Sequence, residues 1–254
     1  MAKDHVSINR TYWNDNAGDW VASGERHWAG DAEWGIWLVP EADLRLFPED
    51  IGESRAIELG CGTGYVSGWM TRRGASVTAI DISENQLATA RRLAAEHGAE
   101  IEFLHGSAEQ VDKPDASFDF AISEYGAAIW CDPSIWIPEA HRLLKPGGRL
   151  AFLGNHPLTF VATPPSGAAC DRQMHFPYRD LHRMDWSVVE IDPGGIEFNR
   201  TFADWLALFR NVGFEVEDYQ EIFAPLDASG SYHGIDADWA KDFPSEQVWK
   251  LRKL

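Results

Sequence analysis

The feature that most constrains the fold is a glycine-rich turn, Glu58-Leu-Gly-Cys-Gly-Thr-Gly64, between a strand-like segment and a helix-like segment. Residues 56–59 predict a short strand, and residues 64–73 predict a helix that Gly74 ends. Glycine lets a backbone turn sharply and lets a ligand approach it closely. The pattern therefore predicts a ligand site where the first strand passes into the first helix.

The central part of the chain repeats this alternation of strands and helices. Further strands are predicted at residues 75–80, 101–104, 118–123, 149–153, 214–219 and 247–251, and helices are predicted to begin at Ser83, Asp132 and Thr201. Ser83 with Gln86, and Thr201 with Asp204, have the spacing of a capping box. Such alternation is typical of an α/β protein whose parallel sheet is covered on both faces.

Two segments depart from this rhythm. Residues 1–50 are rich in aromatic side chains and are interpreted as an N-terminal cap segment. Residues 155–200 contain five prolines and no clean period. This predicts an insertion or substrate lid after the fifth strand, since a bare connection of that length is uncommon. The core is then assigned to residues 51–154 and 201–254.

Charge and cysteine content argue against several partner classes. The chain has 22 Lys and Arg against 40 Asp and Glu, a net charge of −18, so nucleic acid and anionic membranes would be repelled. No apolar run approaches the ~20 residues of a membrane span, and the first five residues lack the apolar stretch of a signal peptide. The three cysteines (Cys61, Cys131, Cys170) form no CxxC pair, which fits a reducing cytoplasm and predicts no disulfide framework. The nine histidines are scattered, so no metal site is predicted.

The spacing of the glycines distinguishes two cofactor classes. Dinucleotide enzymes place glycines at relative positions 0, 2 and 5, but position 5 from Gly60 is Tyr65. The spacing present is Gly60-x-Gly62-x-Gly64, with an acid two residues before it. Asp81 follows Gly60 by 21 residues at the end of the second strand. A carboxylate there can accept both hydroxyls of a ribose, a role shared by NAD and S-adenosylmethionine sites.

Four further segments accompany the glycine turn. They are Ala79-Ile-Asp-Ile-Ser83, Gly106-Ser-Ala-Glu109, Phe118-Asp-Phe-Ala-Ile-Ser123 and Leu144-Lys-Pro-Gly-Gly-Arg-Leu150. On these motifs residues 55–153 resemble the class I S-adenosylmethionine-dependent methyltransferase family, most of all its small-molecule branch of the ubiquinone-biosynthesis type. The resemblance implies a Rossmann-like, seven-stranded, mostly parallel sheet with helices on both faces and an antiparallel final pair of strands.

The resemblance also implies roles for individual residues. The turn would cradle the methionine moiety, Glu58 would orient that turn or reach the ammonium through water, and Asp81 would hold the ribose. The full set of predicted cofactor-binding residues is Tyr12, Trp13, Glu58, Gly60, Cys61, Gly62, Gly64, Asp81, Ile82, Gln86, Ser107, Ala108, Glu109, Ser123 and Glu124. Many relatives carry Asp where this chain has Ser107, and a hydroxyl there bonds the adenine amino group without charge assistance.

The resemblance further implies which part of the cofactor each of these residues would contact. Ile82 would pack on the adenine, and Ser107, Ala108 and Glu109 would edge it. Ser123 and Glu124 would lie under the methionine end, and Tyr12 with Trp13 would cover the cofactor.

Each role has a simpler structural alternative. Glu58 could be only a partner of the helix terminus, and Gln86 only a capping residue. Glu124 could be a solvated loop acid. Tyr12 and Trp13 could pack on the protein alone.

No catalytic residue is assigned from the sequence. Methyl transfer from a sulfonium depends on alignment, so a dedicated base is optional. Glu124 and His156 follow predicted strands and are the candidate bases. His156 is interpreted first as a loop histidine bonded to the backbone.

Aromatic residues outside the core predict the nature of the acceptor. They are Trp28, Trp34, Trp37, Tyr125, Trp130, Phe160, Phe176, Tyr178 and Trp186. Folded over the sheet edge they would form an apolar chamber for a hydrophobic or aromatic acceptor, or for a cationic amine held by cation–π contacts. The alternative is that most of them fill a second small core.

The leading hypothesis is a cytoplasmic enzyme that transfers a methyl group from S-adenosylmethionine to a small-molecule acceptor at O, N or C. An NAD-dependent oxidoreductase and a non-catalytic S-adenosylmethionine-binding protein are the alternatives. No nucleic-acid or membrane partner is expected, and the oligomeric state is left open.

Overall fold

The protein is described by a computed structural model over residues 5–191 and 193–254. Residues 1–4 of the predicted cap segment and residue 192 of the predicted insertion lie outside the described residues. Residues 1–4 are also part of the stretch in which the sequence shows no signal peptide pattern. In the described part the centre is a seven-stranded sheet in which five strands are parallel.

The strands are β1 (Glu33–Trp34), β2 (Val39–Pro40), β3 (Arg55–Leu59), β4 (Ser76–Asp81), β5 (Ile101–His105), β6 (Phe118–Glu124), β7 (Leu144–Asn155), β8 (Arg183–Asp185), β9 (Ile196–Phe198), β10 (Phe214–Ile222), β11 (Ser231–Tyr232), β12 (Ile235–Asp236) and β13 (Glu246–Lys253). The α-helices are α1 (His5–Asp15), α2 (Val21–Ala29), α3 (Glu41–Leu44), α4 (Tyr65–Arg72), α5 (Glu84–Glu96), α6 (Ala127–Trp130), α7 (Pro133–Leu143), α8 (Pro157–Ala162), α9 (Phe202–Val212) and α10 (Ala237–Ala240). Short 3₁₀ turns lie at Ala17–Trp20, Ile51–Glu53 and Trp186–Val188.

The sheet order is β10-β13-β7-β6-β3-β4-β5. The chain therefore builds outward from β3 to β5, then returns to the other side of β3 to lay down β6 and β7. This reversal between β3 and β6 is a topological switch point, and the crevice above it is where ligands bind in such sheets. β13 is antiparallel to both β7 and β10, which confirms the predicted antiparallel final pair.

Two apolar clusters lie on opposite faces of the sheet. Alternate residues of one strand enter different clusters: Ala151 joins the cluster that contains Trp69 of α4, and Phe152 joins the cluster that contains Trp136 of α7 and Trp205 of α9. The period of two along a strand causes this division. Helices thus cover both faces, as predicted.

The N-terminal segment shares the main core. Trp34 is fully buried in the cluster that contains Trp69, and Trp28 Nε1 donates a 2.9 Å hydrogen bond to the carbonyl of Thr63 in the glycine turn. These aromatic residues therefore pack the cap segment onto the core beside the predicted ligand site. The boundary at residue 50 stays a prediction.

Residues 155–200, which show no clean period in the sequence, form α8 and the β8–β9 hairpin. One local prediction is confirmed only in part. The capping box at α5 forms only by half: Ser83 Oγ accepts from the Gln86 amide at 3.1 Å, but the Ser83 amide donates to Asp81 Oδ1 instead of to Gln86. A carboxylate is a stronger acceptor than a side-chain amide, so Asp81 takes the place of the glutamine.

Candidate active site

A cavity of about 530 Å³ lies above the carboxyl ends of the central strands. The glycine turn after β3, Asp81 at the end of β4 and Glu124 at the end of β6 all line it. It therefore occupies the crevice of the topological switch point.

The turn is held open by backbone geometry that only glycine adopts easily. Gly60, Gly62 and Gly64 have φ angles of +80°, +50° and +76°. A Cβ on Gly60 would lie 2.7 Å from the backbone nitrogen of Ala127. The amides of Gly60 and Cys61 donate to the Ile80 carbonyl, which fixes the turn against β4. Glycine is therefore needed in this turn, because the backbone has positive φ angles and Gly60 lies close to the backbone of Ala127.

Asp81 ties the turn to the neighbouring strand. Its Oδ2 accepts a 2.7 Å hydrogen bond from the Gly62 amide, and its Oδ1 accepts one of 2.8 Å from the Ser83 amide. Burial raises the pKa of this carboxyl above its ordinary value, while these amide bonds oppose the shift. Each carboxylate oxygen has a second acceptor site, so Asp81 can still accept hydroxyl groups from a ligand in the cavity.

Gln86 provides an independent test of whether a cofactor fits. Its side chain is 2% exposed and lines the cavity, yet its Oε1 has no hydrogen-bond partner. A Cβ built on Gly62 would lie 4.0 Å from this oxygen. Buried polar atoms are rarely left unpaired. An acceptor directed at the glycine turn fits a ligand with hydroxyl or amino groups, as the implied sulfonium nucleoside has.

Glu58 lies beneath the turn and is buried. Its Oε2 accepts hydrogen bonds from the Ser67 amide at 2.8 Å and from the Ser67 hydroxyl. Burial, with the nearby charges of Glu124 and Asp81, raises its pKa to about 8. Because both hydrogen bonds come from Ser67 in the first turn of α4, the geometry supports the interpretation of Glu58 as a partner of the helix terminus.

Glu124 is buried rather than solvated. Its Oε2 accepts from the Tyr65 hydroxyl, and its Oε1 accepts a 3.0 Å bond from the Gly35 amide of the cap segment. Burial raises the pKa of Glu124. The alternative of a solvated loop acid is therefore excluded, because Tyr65 and the segment around Gly35 close over the carboxylate.

Tyr12 and Trp13 also line the cavity. Tyr12 stacks on Trp130 with ring centroids 5.8 Å apart, and Trp13 meets the edge of the same ring at 5.1 Å. The aromatic pair from α1 therefore reaches the end of α6 across the cavity.

The structure brings most of the predicted residues together. The lining contains Tyr12, Trp13, Glu58, Gly60, Cys61, Gly62, Asp81, Ile82, Gln86, Ser107, Ala108 and Glu124. Three predicted residues, Gly64, Ser123 and Glu109, do not line the cavity. Gly64 faces Ala90 and Phe103, and Ser123 Oγ is bonded to the Leu59 carbonyl.

Glu109 is the third. Its carboxylate is bonded to His5 Nε2 and to the Asp132 amide, each at 2.7 Å. It therefore joins α1 to the start of α7 rather than facing the adenine position, so its predicted role as an adenine edge has no geometric support.

His156 lies outside the cavity lining and caps α8. It is 1% exposed, and its Nδ1 accepts a 3.1 Å hydrogen bond from the Leu158 amide. Burial lowers its pKa to about 4. The interpretation as a loop histidine bonded to the backbone is the one this geometry supports.

Sequence reasoning missed Glu197. It lies on β9, lines the cavity and contacts Asn155 at the end of β7, with 3.3 Å between its Oε2 and Asn155 Nδ2. No motif marks it, and its place depends on how residues 155–200 fold back on the sheet. Of the nine aromatic residues predicted to form the chamber, four line the cavity, namely Tyr125, Trp130, Phe160 and Trp186. The other five do not line it: Trp28, Trp34 and Trp37 are buried elsewhere, and Phe176 and Tyr178 lie outside the lining.

Comparison with known sequences identifies the central segment. Residues 57–152 match the family model described as a methyltransferase domain. A ubiquinone biosynthesis O-methyltransferase from Maricaulis maris is 38% identical over 95 residues, which cover 37% of this chain and 37% of that protein. A malonyl-[acyl-carrier protein] O-methyltransferase from Serratia marcescens is 38% identical over 137 residues, covering 52% of this chain and 51% of the other. The chain thus spans about half or less of these curated relatives.

Comparison with solved structures extends the similarity to the whole fold. The crystal structure of an S-adenosylmethionine dependent methyltransferase from Mesorhizobium loti matches with a TM-score of 0.66 and 25% sequence identity. The match covers 86% of this chain and 100% of that one. The overall fold is therefore shared with this protein.

Proposed function

Because the chain belongs to the class I S-adenosylmethionine-dependent methyltransferase family, we propose that it transfers a methyl group from S-adenosylmethionine to a small-molecule acceptor. One observation carries the proposal. The glycine turn, the buried Asp81 carboxylate and the unpaired Gln86 carbonyl meet at one crevice, next to a chamber with aromatic walls.

The division of labour follows from the chemistry. S-adenosylmethionine, when bound, supplies a methyl group on a positively charged sulfur. The chain then has to bind the cofactor and the acceptor, orient them towards each other and exclude water. Asp81 and Gln86 offer acceptors to ribose hydroxyls or to an ammonium, and Tyr12 with Trp13 would close the cavity on the side of α1.

The charge of the cavity favours this cofactor over a dinucleotide. The acidic residues Asp81, Glu124 and Glu197 line it, and Arg26 is the single Lys or Arg among its lining residues in the described ranges. Glu58 lines it too, but its raised pKa of about 8 makes it a weak source of negative charge at neutral pH. Charges interact strongly in a poorly hydrated site. A sulfonium is attracted there, whereas the pyrophosphate of NAD would be repelled.

Titration calorimetry with S-adenosylhomocysteine and with NADH tests the cofactor. Saturable binding of the first, with none of the second, supports the proposal, and the reverse would support an oxidoreductase. Transfer of a radiolabelled methyl group to a panel of phenols, amines and activated carbon acids then tests catalysis. Cofactor binding with no transfer to any acceptor would favour a non-catalytic binding protein.

The cellular setting belongs to the same proposal. Cys61, Cys131 and Cys170 are all free thiols, which suits a reducing cytoplasm. Among the described helices, none has the length and apolarity needed to cross a membrane. The excess of acidic residues favours a small-molecule partner over a nucleic acid.

A further inference from the structure

The cavity extends past the cofactor motifs into a chamber built by later parts of the chain. This part, the acceptor chamber, is lined by Tyr125, Trp130, Phe160, Trp186 and Glu197. Phe160 and Trp186 meet edge to face with centroids 6.3 Å apart. An aromatic wall of this kind binds flat apolar groups and, through ring faces, cations.

Among the residues that the structure describes, the lining of the acceptor chamber contains one carboxylate, that of Glu197. Of the lining residues from Asn155 onward in the described ranges, Glu197 is the only Asp, Glu, Lys or Arg. Ile196 and Phe198 on either side are buried, at 0% and 2% exposure. Because side chains alternate along a strand, Glu197 points away from that core and towards the chamber.

Within the described part of the chain, no positively charged group offsets the charge of Glu197, and burial raises the pKa of its carboxyl to about 7. Its hydrogen-bond partners are the Asn155 amide and the Trp186 side chain, both uncharged. No Lys, Arg or His nitrogen of the described residues forms an ion pair with it. Its negative charge is one of those that raise the pKa of Tyr125 at the end of β6. The carboxylate therefore lies near the ends of both β6 and β7, on the acceptor side of the crevice.

A poorly hydrated carboxylate without a cation is costly, and a ligand that brings a positive charge offsets that cost. We propose that Glu197 anchors the positively charged nitrogen of the methyl acceptor. The acceptor is then an arylalkylammonium ion rather than a neutral phenol or a carboxylic acid. This inference rests on the proposed function and makes Glu197 a specificity-determining residue of it.

The geometry fits a short arylalkylammonium ion. Its nitrogen would meet Glu197, and its ring would lie among Phe160, Trp186 and Trp130. Charge-assisted hydrogen bonds add to cation–π attraction at such a site. An uncharged compound of equal shape would keep the ring contacts but would lose the charge-assisted hydrogen bond and the cation–π attraction.

Calorimetry on protein saturated with S-adenosylhomocysteine tests this with two matched probes at pH 8. The probes are 2-phenylethylamine, which is protonated at that pH, and 2-phenylethanol. The wild-type protein should bind the amine about tenfold more tightly than the alcohol. Glu197→Gln should abolish this preference by weakening the amine alone. Glu197→Asp, which keeps the charge, should retain part of it.

Glu190→Gln is the control, because it removes the same charge from an exposed position in the same segment. It should leave the tenfold preference unchanged. Equal binding of both probes by the wild type, binding of neither, or a preference that survives Glu197→Gln would overturn the inference. The S-adenosylhomocysteine titration separates the two proposals: if it fails in the wild type, the proposed function falls with the inference, and if it succeeds while the preference is absent, only the inference falls.

Discussion

The Gly62 amide donates a 2.7 Å hydrogen bond to the buried carboxylate of Asp81. One acid at the end of β4 therefore sets the conformation of the glycine turn after β3 and also faces the cavity. The residue expected to bind the cofactor and the residue that shapes the cofactor loop are the same.

The first prediction follows from this double role. Asp81→Asn should weaken S-adenosylhomocysteine binding by about 10- to 100-fold, since the amide presents an N–H where backbone amides and sugar hydroxyls need an acceptor. Calorimetry measures the dissociation constant. Asp119→Asn is the control, because Asp119 bonds the Arg55 amide and Lys145 at the amino end of β6. Unchanged affinity in Asp81→Asn would show that this carboxylate does not hold the ligand.

A second prediction compares two glycines with nearly the same φ angle. Gly60 has φ +80° and Gly147 has φ +79°, but a Cβ would meet Ala127 N at 2.7 Å in the first and nothing within 4 Å in the second. Both alanine variants carry the strain of positive φ, about 1 kcal/mol. Gly60→Ala should lose about 1–3 kcal/mol more because the added methyl is overpacked.

Thermal and urea unfolding of the two variants give the comparison. Gly60→Ala should also lose S-adenosylhomocysteine binding, whereas Gly147→Ala should keep it. Equal losses of stability in both variants would mean that the backbone strain alone, and not the close approach of Gly60 to α6, makes glycine necessary there.

The central sheet could be predicted because local patterns determine it. The turn from Glu58 to Gly64 and the acid Asp81 each lie at a strand end, and the carboxyl ends of parallel strands meet at one edge. Sequence spacing therefore implied spatial proximity. The same reasoning identified the thirteen-residue helix α5 and its cap at Ser83.

Long-range contacts explain what could not be predicted. Glu246 accepts hydrogen bonds from the Ile36 amide and the Tyr125 hydroxyl, although 210 residues separate it from Ile36. Asn9 similarly bonds Ile196 of β9 at a separation of 187 residues. No local pattern encodes such pairs. The position of Glu197 depends on such contacts, and it therefore could not be predicted from the sequence.

A third prediction concerns His156, the candidate base that the structure places at a helix cap. His156→Asn should keep methyl transfer and S-adenosylhomocysteine binding near wild-type values, since asparagine also caps helices. His156→Ala should lower the free energy of unfolding by about 1 kcal/mol, with cofactor binding intact. Urea unfolding and the transfer assay measure the two effects. Loss of transfer in His156→Asn, with stability retained, would restore the histidine as a base.

The last prediction concerns the pH dependence of stability that Glu58 causes. Its pKa is raised from 4.5 to about 8 in the folded protein, chiefly by burial, with the charges of Glu124 and Asp81 adding to the shift. Between these values the folded protein keeps a proton that the unfolded chain has released. The free energy of unfolding must therefore fall as the pH rises through this window, by at most about 1.4 kcal/mol per pH unit for one such group.

Glu58→Gln removes that titration while its side-chain oxygen can still accept from the Ser67 amide. Urea unfolding between pH 5 and pH 8.5 should show a shallower decline in the variant than in the wild type. Part of the decline should persist, because burial also raises the pKa of Glu246 to about 8. The control, Glu53→Gln, lies at an exposed position and should follow the wild-type curve. Equal slopes in Glu58→Gln and wild type would mean that Glu58 is already ionised in the folded protein at neutral pH, and that the carboxylate beneath the glycine turn is compensated by a charge from another source.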